Sequence, residues 1–176
     1  MNDTEYKLVK KSIKGNKKAF EKLMKQYYQQ IYRTAFLYVH SREDALDIVQ
    51  ESTYQALISV HTLRNPEYFM TWFTKIIIRC AAQLVSRRKN IVHLTPDILA
   101  SVKSNDDVNI DSLTLIESIR NLKENYQTTI ILFYYYDYSI KTISEIMQIP
   151  EGTVKTYLSR GKEELKKTLK RGSSHG

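Results

Sequence analysis

The chain has 176 residues, of which 42% are hydrophobic, and carries 27 Lys and Arg against 19 Asp and Glu. This length allows one ordinary domain or two small ones, and the hydrophobic content excludes a wholly disordered chain. Only 5 Gly and 3 Pro are present, which favours long helices over a β fold with many turns. The excess of positive charge favours a polyanionic partner.

The single cysteine, Cys80, excludes an internal disulfide, and the first residues are polar with no apolar signal core behind them. No apolar stretch is long enough to span a bilayer. We therefore expect a cytoplasmic protein.

Charge is distributed unevenly along the chain. Residues 1–40 carry nine Lys and Arg against three Asp and Glu, residues 41–70 two against five, and residues 71–96 five against none. Residues 97–112 are again acidic and residues 113–176 are basic. Basic surfaces that alternate with acidic ones indicate more than one kind of partner.

The first half of the chain predicts three helices in succession. Apolar residues recur every three or four positions over 19–38, which is typical of an amphipathic helix. Ser41 starts a pattern that resembles a capping box, so a second helix is predicted over about 41–60. Pro66 predicts a loop, and a third helix is predicted over about 68–88.

The second half predicts a linker followed by a helical domain. Residues 91–112 are acidic and rich in turn formers, and helical periodicity fades there. Helices are predicted over 113–123 and 126–136, before a short helix, a tight turn and a final basic helix. The predicted fold class is all-α, with two small helical domains over 1–90 and 113–171, the linker between them, and a tail over 172–176.

Residues 138–161 predict a helix-turn-helix. Ser139 is placed to cap a first helix, Pro150 lies within a turn over 148–152, and the second helix keeps a polar, basic face. A recognition helix reads the major groove with such side chains, and Arg160 suits a guanine edge. The alternative is a helical hairpin with a solvated basic face. The candidate DNA contacts are Lys141, Thr153, Lys155, Thr156, Ser159, Arg160 and Lys162.

Aromatic and basic residues are interleaved over 64–88. Positive charge follows a phosphate backbone and aromatic rings stack on unpaired bases, so this pattern predicts a surface for single-stranded DNA. On composition alone, Trp72 and Phe73 are more simply explained as core residues. The candidate single-strand contacts are Arg64, Asn65, Tyr68, Phe69, Trp72, Lys75, Arg79, Gln83, Arg87 and Arg88.

Three carboxylates, Asp44, Asp47 and Glu51, are spaced to lie on one face of the second helix. They favour either a metal or acid/base site, or a docking surface for a basic partner. The positive end of the helix dipole accounts for Asp44 without any function, but accounts poorly for Glu51.

No enzymatic signature is present in the sequence. There is no Gly-rich phosphate loop, His-Glu-x-x-His, Gly-x-Ser-x-Gly or paired Cys motif. Cys80 lies in an apolar run and is predicted to be a buried structural thiol. We expect no catalytic residues, cofactor, metal or small-molecule substrate.

Taken in order, these segments resemble the extracytoplasmic-function sigma factors over nearly the whole chain. Residues 44–51 are similar to the family's region 2.2, which implies that Asp47, Gln50 and Glu51 dock on the clamp helices of core RNA polymerase. Residues 64–88, centred on Trp72, are similar to regions 2.3 and 2.4, which melt and read the −10 element. Residues 150–160 are similar to region 4.2, which reads the −35 element.

The resemblance implies further partners, and the sequence departs from the family's pattern at some positions. It implies promoter DNA, the polymerase flap and a membrane-anchored anti-sigma factor released in envelope stress. Arg79 and Gln83 stand where many members have Asn and Asp, and Tyr157 stands where Arg is frequent. Arg79 and residues 60–67 look more like the sigma-V branch. The competing hypothesis is an autonomous helix-turn-helix regulator that binds duplex sites without polymerase.

Overall fold

The computed structural model describes the backbone of residues 2–92 and 110–173, and the side chains of residues 2–88 and 115–170. The regular structure of these parts is helical, and the chain divides into two compact units, residues 1–81 and 82–176. The all-α class with two domains is therefore confirmed. Most of the predicted linker and tail lies outside the described residues, and the domain limits at 90 and 113 stay predictions. The helices are α1 (Asp3–Ile13), α2 (Lys17–Val39), α3 (Arg42–Ser59), α4 (Phe69–Val92), α5 (Ile110–Arg120), α6 (Glu124–Ile130), α7 (Ile140–Met147) and α8 (Glu151–Ser173).

The first three helices each start at a polar cap. The side-chain oxygens of Asn2, Asn16 and Ser41 accept hydrogen bonds from backbone N–H groups inside the first turn of α1, α2 and α3. Such caps satisfy donors that a helix start leaves unpaired. The start predicted at Ser41 is therefore correct. His40 ends α2 in the left-handed conformation, so only two residues separate α2 from α3.

The core of the first unit is built around α4. Phe69, Phe73 and Ile77, spaced four residues apart, are fully buried with Leu23 of α2 and Ile48 of α3. Burying each such side chain stabilises the fold by about 1.5–3 kcal/mol. Two short 3₁₀ helices, Val60–Thr62 and Pro66–Tyr68, lie between α3 and α4, and the second overlaps the loop predicted at Pro66.

The second unit carries the helix-turn-helix. Ser139 caps α7, and α7 ends at Gln148 in the left-handed conformation (φ 55°). Helix α8 begins directly after Pro150, so the turn is shorter than the predicted 148–152. Ile143 and Val154 are buried. The predicted helix over 126–136 is α6 continued by a π-helical turn, Ile131–Tyr135.

Cys80 is a buried thiol of α4, as predicted. Burial, together with the negative charge of Glu51, raises the pKa of Cys80 to about 11 from about 9. Because the raised pKa keeps the thiol protonated at neutral pH, alkylation by iodoacetamide should be slow at pH 8 and accelerate only as the pH approaches 11. In denaturant, the same rate should rise near pH 9. Fast alkylation of the folded protein at pH 8 would contradict this assignment.

Candidate functional site

The outer face of α3 combines acidic and apolar side chains. Asp47, Gln50 and Glu51 are all exposed, and Gln55 donates a hydrogen bond of 2.8 Å to a carboxylate oxygen of Glu51. Helical spacing places large apolar residues on the same face. The exposed apolar members are Leu46, Tyr54, Leu57 and Ile58. We call the three exposed polar residues and the four exposed apolar residues together the α3 face. Its members are Leu46, Asp47, Gln50, Glu51, Tyr54, Leu57 and Ile58.

The sequence analysis missed the apolar half of the α3 face, because it singled out only the polar residues of this helix. Leu57 is 38% and Tyr54 is 56% exposed. The signal was available, because α3 has apolar residues around most of its circumference, more than one core-facing stripe requires. An exposed apolar patch with acidic residues is typical of a protein-binding surface.

Asp44 does not belong to the α3 face. Its side chain is only 2% exposed, and its backbone N–H donates to the Ser41 hydroxyl at the start of the helix. The structure therefore corrects the prediction that Asp44 contacts a docking partner, and it assigns this residue to the helix start. Among the described residues, no group of three His, Cys, Asp or Glu side chains is arranged to hold a metal ion.

A stripe of aromatic and basic residues runs along α4 in the first unit. Trp72, Lys75 and Arg79 recur every three or four positions on α4, so they share one side of the helix, and Tyr68 ends the short 3₁₀ helix directly before it. Tyr68 is 59% exposed, Lys75 and Arg79 are exposed, and Trp72 is half-buried. We call these four residues the α4 stripe. Its composition suits phosphate contacts and base stacking.

The structure separates the predicted aromatic cluster into core and surface. Phe69 and Phe73 are fully buried, and the Trp72 ring lies 5.8 Å from the ring of Phe69 between centroids. Phe69 therefore packs against Trp72 from the core and cannot contact a base. This corrects the prediction that Phe69 contacts single-stranded DNA. Trp72 is half-buried and packs against both Phe69 and Phe73.

The remaining candidates of this segment are at the surface. Arg64 is exposed, and Asn65 accepts a hydrogen bond of 3.0 Å from the Glu67 N–H and so caps the short helix before α4. In the second unit, Gln83, Arg87 and Arg88 are exposed.

The second helix of the helix-turn-helix presents the predicted polar face. Lys155, Thr156, Ser159 and Arg160 are exposed and Thr153 is half-buried. No acidic residue occurs between Glu151 and Glu163 in the sequence. The face is therefore positive where a major groove would receive it. Lys141 of α7 and Lys162 are also exposed.

Arg160 is held by a residue that the sequence did not suggest. The hydroxyl of Tyr126 accepts a hydrogen bond from its guanidinium, which raises the pKa of Arg160 above its usual value. The Tyr126 ring is buried against Tyr157, 5.4 Å away between centroids. At Gly161 an added Cβ would lie 3.1 Å from the Cγ1 of Ile130 and 3.4 Å from the Cβ of Tyr126. The glycine thus allows the close approach of α6 and α8, chiefly at Ile130.

An apolar groove of about 860 Å³ lies between α5, α6 and α8. Lys162, Lys166 and Lys170 also line it, one helical turn apart on α8. The sequence analysis missed this groove because one of its walls comes from α8, which is distant in the sequence from α5 and α6. Its apolar lining is Leu115, Ile119, Ile130, Tyr134, Leu165 and Leu169.

Comparison with known proteins identifies the family. Residues 23–91 match Sigma-70 region 2, and residues 112–165 match Sigma-70, region 4. The RNA polymerase sigma factor SigV of Bacillus subtilis is 39% identical over 132 residues, covering 75% of this chain and 80% of SigV. The ECF RNA polymerase sigma-E factor of Haemophilus influenzae is 31% identical over 176 residues, covering 91% of this chain and 92% of that protein. The chain belongs to the extracytoplasmic-function sigma factors of the sigma-70 family.

Solved structures show the same fold. The sigma factor RpoE from Bartonella quintana, crystallised with the anti-sigma factor NepR, has a TM-score of 0.74 at 17% identity, over 87% of this chain and 98% of that chain. CnrH, solved in complex with the cytosolic domain of CnrY, has a TM-score of 0.70 at 16% identity, covering 96% of this chain and 99% of that chain. The similarity of this sigma factor to SigV agrees with the predicted sigma-V branch. Within the described residues, no helix is both long and apolar enough to cross a membrane.

Proposed function

We propose that this sigma factor directs promoter-specific transcription initiation by binding core RNA polymerase and contacting promoter DNA at two separate surfaces. The observation that carries the proposal is the contrast between its surfaces. The α3 face is acidic and apolar, whereas the α4 stripe and the recognition helix are basic. A protein partner and a nucleic-acid partner are thereby kept on different surfaces. The protein acts by binding and performs no catalytic step.

The α3 face is the proposed docking surface for the clamp helices. Asp47 and Glu51 supply charge that attracts a basic partner, and Leu46, Tyr54 and Leu57 supply apolar area that is buried on association. Gln50 lies between them and is able to donate and accept hydrogen bonds. Asp44 contributes indirectly, because its backbone N–H completes the capped start of α3.

The α4 stripe is the proposed −10 surface. Lys75 and Arg79 are placed to hold phosphates, and Trp72 and Tyr68 to stack on bases that leave the duplex. Arg79 stands where many members of the family have Asn, so a charged guanidinium takes the place of an amide that would read a base edge. Gln83, Arg87 and Arg88 extend the candidate contacts along the sequence of α4.

Replacing Trp72 by alanine should reduce promoter opening by about fivefold or more, because one stacked base is lost. The measurement is the fluorescence of 2-aminopurine in the −10 element, with the variant bound to core polymerase. Tyr135→Ala is the matched control, since Tyr135 is an exposed ring of the second unit that belongs to none of the proposed surfaces. Equal opening by the Trp72 variant and wild type would remove Trp72 from the strand-opening site.

The recognition helix is the proposed −35 surface. Arg160 is the candidate for a guanine edge, and Lys155 and Lys141 are candidates for phosphates. Thr153, Thr156, Ser159 and Lys162 complete the predicted set. Lys162 also lines the apolar groove, so it lies at the border of this surface.

The apolar groove of the second unit is the proposed site for the polymerase flap. Its lining is apolar and its edge carries Lys162, Lys166 and Lys170, a combination that fits an amphipathic helix with acidic flanks. An anti-sigma factor that covers these surfaces would block polymerase and DNA together. We propose membrane-anchored sequestration in the cytoplasm of this kind, relieved in envelope stress. The RpoE structure contains the anti-sigma factor NepR, and the CnrH structure contains the cytosolic domain of CnrY.

Run-off transcription tests the proposal. Core polymerase should initiate at discrete new sites on upstream sequences of the source genome only when this protein is present. Selection of duplex sites by the protein alone, without such transcripts, would favour the autonomous regulator.

A further inference from the structure

Lys123 lies at the start of α6 with its ammonium group above an aromatic ring. The Nζ of Lys123 is 5.9 Å from the centre of the Tyr126 ring, which is within the range of a cation–π contact. Lys123 is exposed, whereas Tyr126 is buried. The buried ring therefore favours one direction for the exposed lysine side chain.

The same tyrosine joins Lys123 to the recognition helix. The hydroxyl of Tyr126 accepts the hydrogen bond from the guanidinium of Arg160, and its ring packs on that of Tyr157. Two exposed cations, Lys123 beside α6 and Arg160 on α8, therefore contact one side chain. Because like charges repel, this arrangement favours an anion that lies close to both.

Helix stability explains the lysine at position 123 poorly. Lys123 is the N-cap of α6, and its side chain makes no capping hydrogen bond. Ser, Thr, Asp and Asn are preferred at an N-cap, because their side chains accept a hydrogen bond from the first turn. A lysine also places positive charge at the positive end of the helix dipole. The residue type is therefore unfavourable for the start of α6 on both counts, which indicates a role outside the helix.

The place of Lys123 beside the recognition helix determines which part of a DNA duplex it would meet. A major groove is about 12 Å wide, and an α-helix with its side chains has about the same diameter. With α8 in the groove, the base edges would therefore be out of reach of a residue at the start of α6. A cation beside Arg160 would instead face the phosphates that border the groove.

We propose that Lys123 contacts a backbone phosphate at the edge of the −35 major groove, next to the base pair that Arg160 contacts. A phosphate contact adds affinity and fixes the position of the protein on the duplex, but it does not select a base. Lys123 lies outside the helix-turn-helix pattern over 138–161, so the predicted −35 contacts did not include it. This proposal rests on the proposed function, because it requires α8 to enter the −35 groove.

The test is promoter binding by the holoenzyme at several salt concentrations. Lys123→Gln should weaken binding to all −35 sequences alike, and should reduce the slope of log affinity against log salt by about 1, because one phosphate contact is lost. Preference among randomised −35 elements should stay as in wild type, in contrast to Arg160→Ala. Lys7→Gln is the matched control and should keep the wild-type slope, since Lys7 is an exposed lysine of α1 that belongs to none of the proposed surfaces.

Lys123→Ser separates DNA binding from folding. Serine should cap α6, so the midpoint of thermal unfolding should rise while promoter affinity falls as it does in the glutamine variant. A midpoint below that of wild type would make Lys123 a structural residue and overturn the proposal.

The salt slopes decide the remaining alternatives. An unchanged slope in both Lys123 variants would show that this residue does not contact a phosphate. An equal change in Lys7→Gln would indicate a general effect of net charge, and an altered base preference would indicate a base contact; either result overturns the proposal. If wild type shows no initiation that depends on the −35 element, the proposed function is rejected instead.

Discussion

Replacing Asp47 and Glu51 together by alanine should lower the affinity for core polymerase by about 2–5 kcal/mol, which is about 30-fold or more. Both carboxylates are exposed on α3 in the free protein. On association they would be desolvated against basic groups, and their loss would leave those groups unpaired. The measurement is assembly of the holoenzyme, followed by fluorescence anisotropy at several salt concentrations.

The fold should be unaffected by this change. Substitutions of exposed residues usually alter the free energy of unfolding by less than about 0.5 kcal/mol. Asp3→Asn with Glu67→Gln is a matched control, since it removes the same charge from exposed residues outside the α3 face. Unchanged assembly in the Asp47 and Glu51 variant would remove the docking role of this face. Equal loss in the control would indicate a general effect of net charge.

Replacing Arg160 by alanine should cost about 1–3 kcal/mol at one base pair of the −35 element and relax specificity there. The guanidinium has two parallel N–H donors, so it distinguishes guanine from other bases in the major groove. Lys155→Ala should behave differently, weakening binding to all sequences and reducing the salt dependence. Promoter selection by the holoenzyme from a pool of randomised −35 elements separates the two effects.

Tyr126→Phe makes this prediction sharper. It removes the hydroxyl that accepts the hydrogen bond from Arg160 and keeps the ring that packs on Tyr157. We expect a smaller loss than for Arg160→Ala, at the same base pair. Unchanged promoter choice in the Arg160 variant would make this residue an ordinary surface charge.

Most of the fold followed from local patterns. Ser41 and Ser139 cap the helices that they were predicted to start, and the buried stripes of α2 and α4 follow from apolar spacing. The end of α7 was less clear, because its stop depends on Gln148 adopting a left-handed conformation that its residue type does not demand.

The functional surfaces were only partly predictable, for reasons of packing. Spacing placed Asp44 and Asp47 on one face of α3, but whether each is buried depends on where neighbouring helices lie. The same holds for Phe69 and Trp72, which are neighbours on α4 with different exposure. The contact between Tyr126 and Arg160 joins α6 to α8, and no local pattern encodes it.

The central claim is that this protein gives core RNA polymerase its choice of promoter through two DNA-binding surfaces. Run-off transcription on hybrid promoters tests it most directly, with the −10 and −35 elements of an active promoter altered one at a time. We predict that initiation requires this protein and both elements, that Trp72→Ala impairs opening, and that Arg160→Ala tolerates a changed −35 base pair. Initiation that is independent of the −35 element, or unaffected by both variants, would contradict the account.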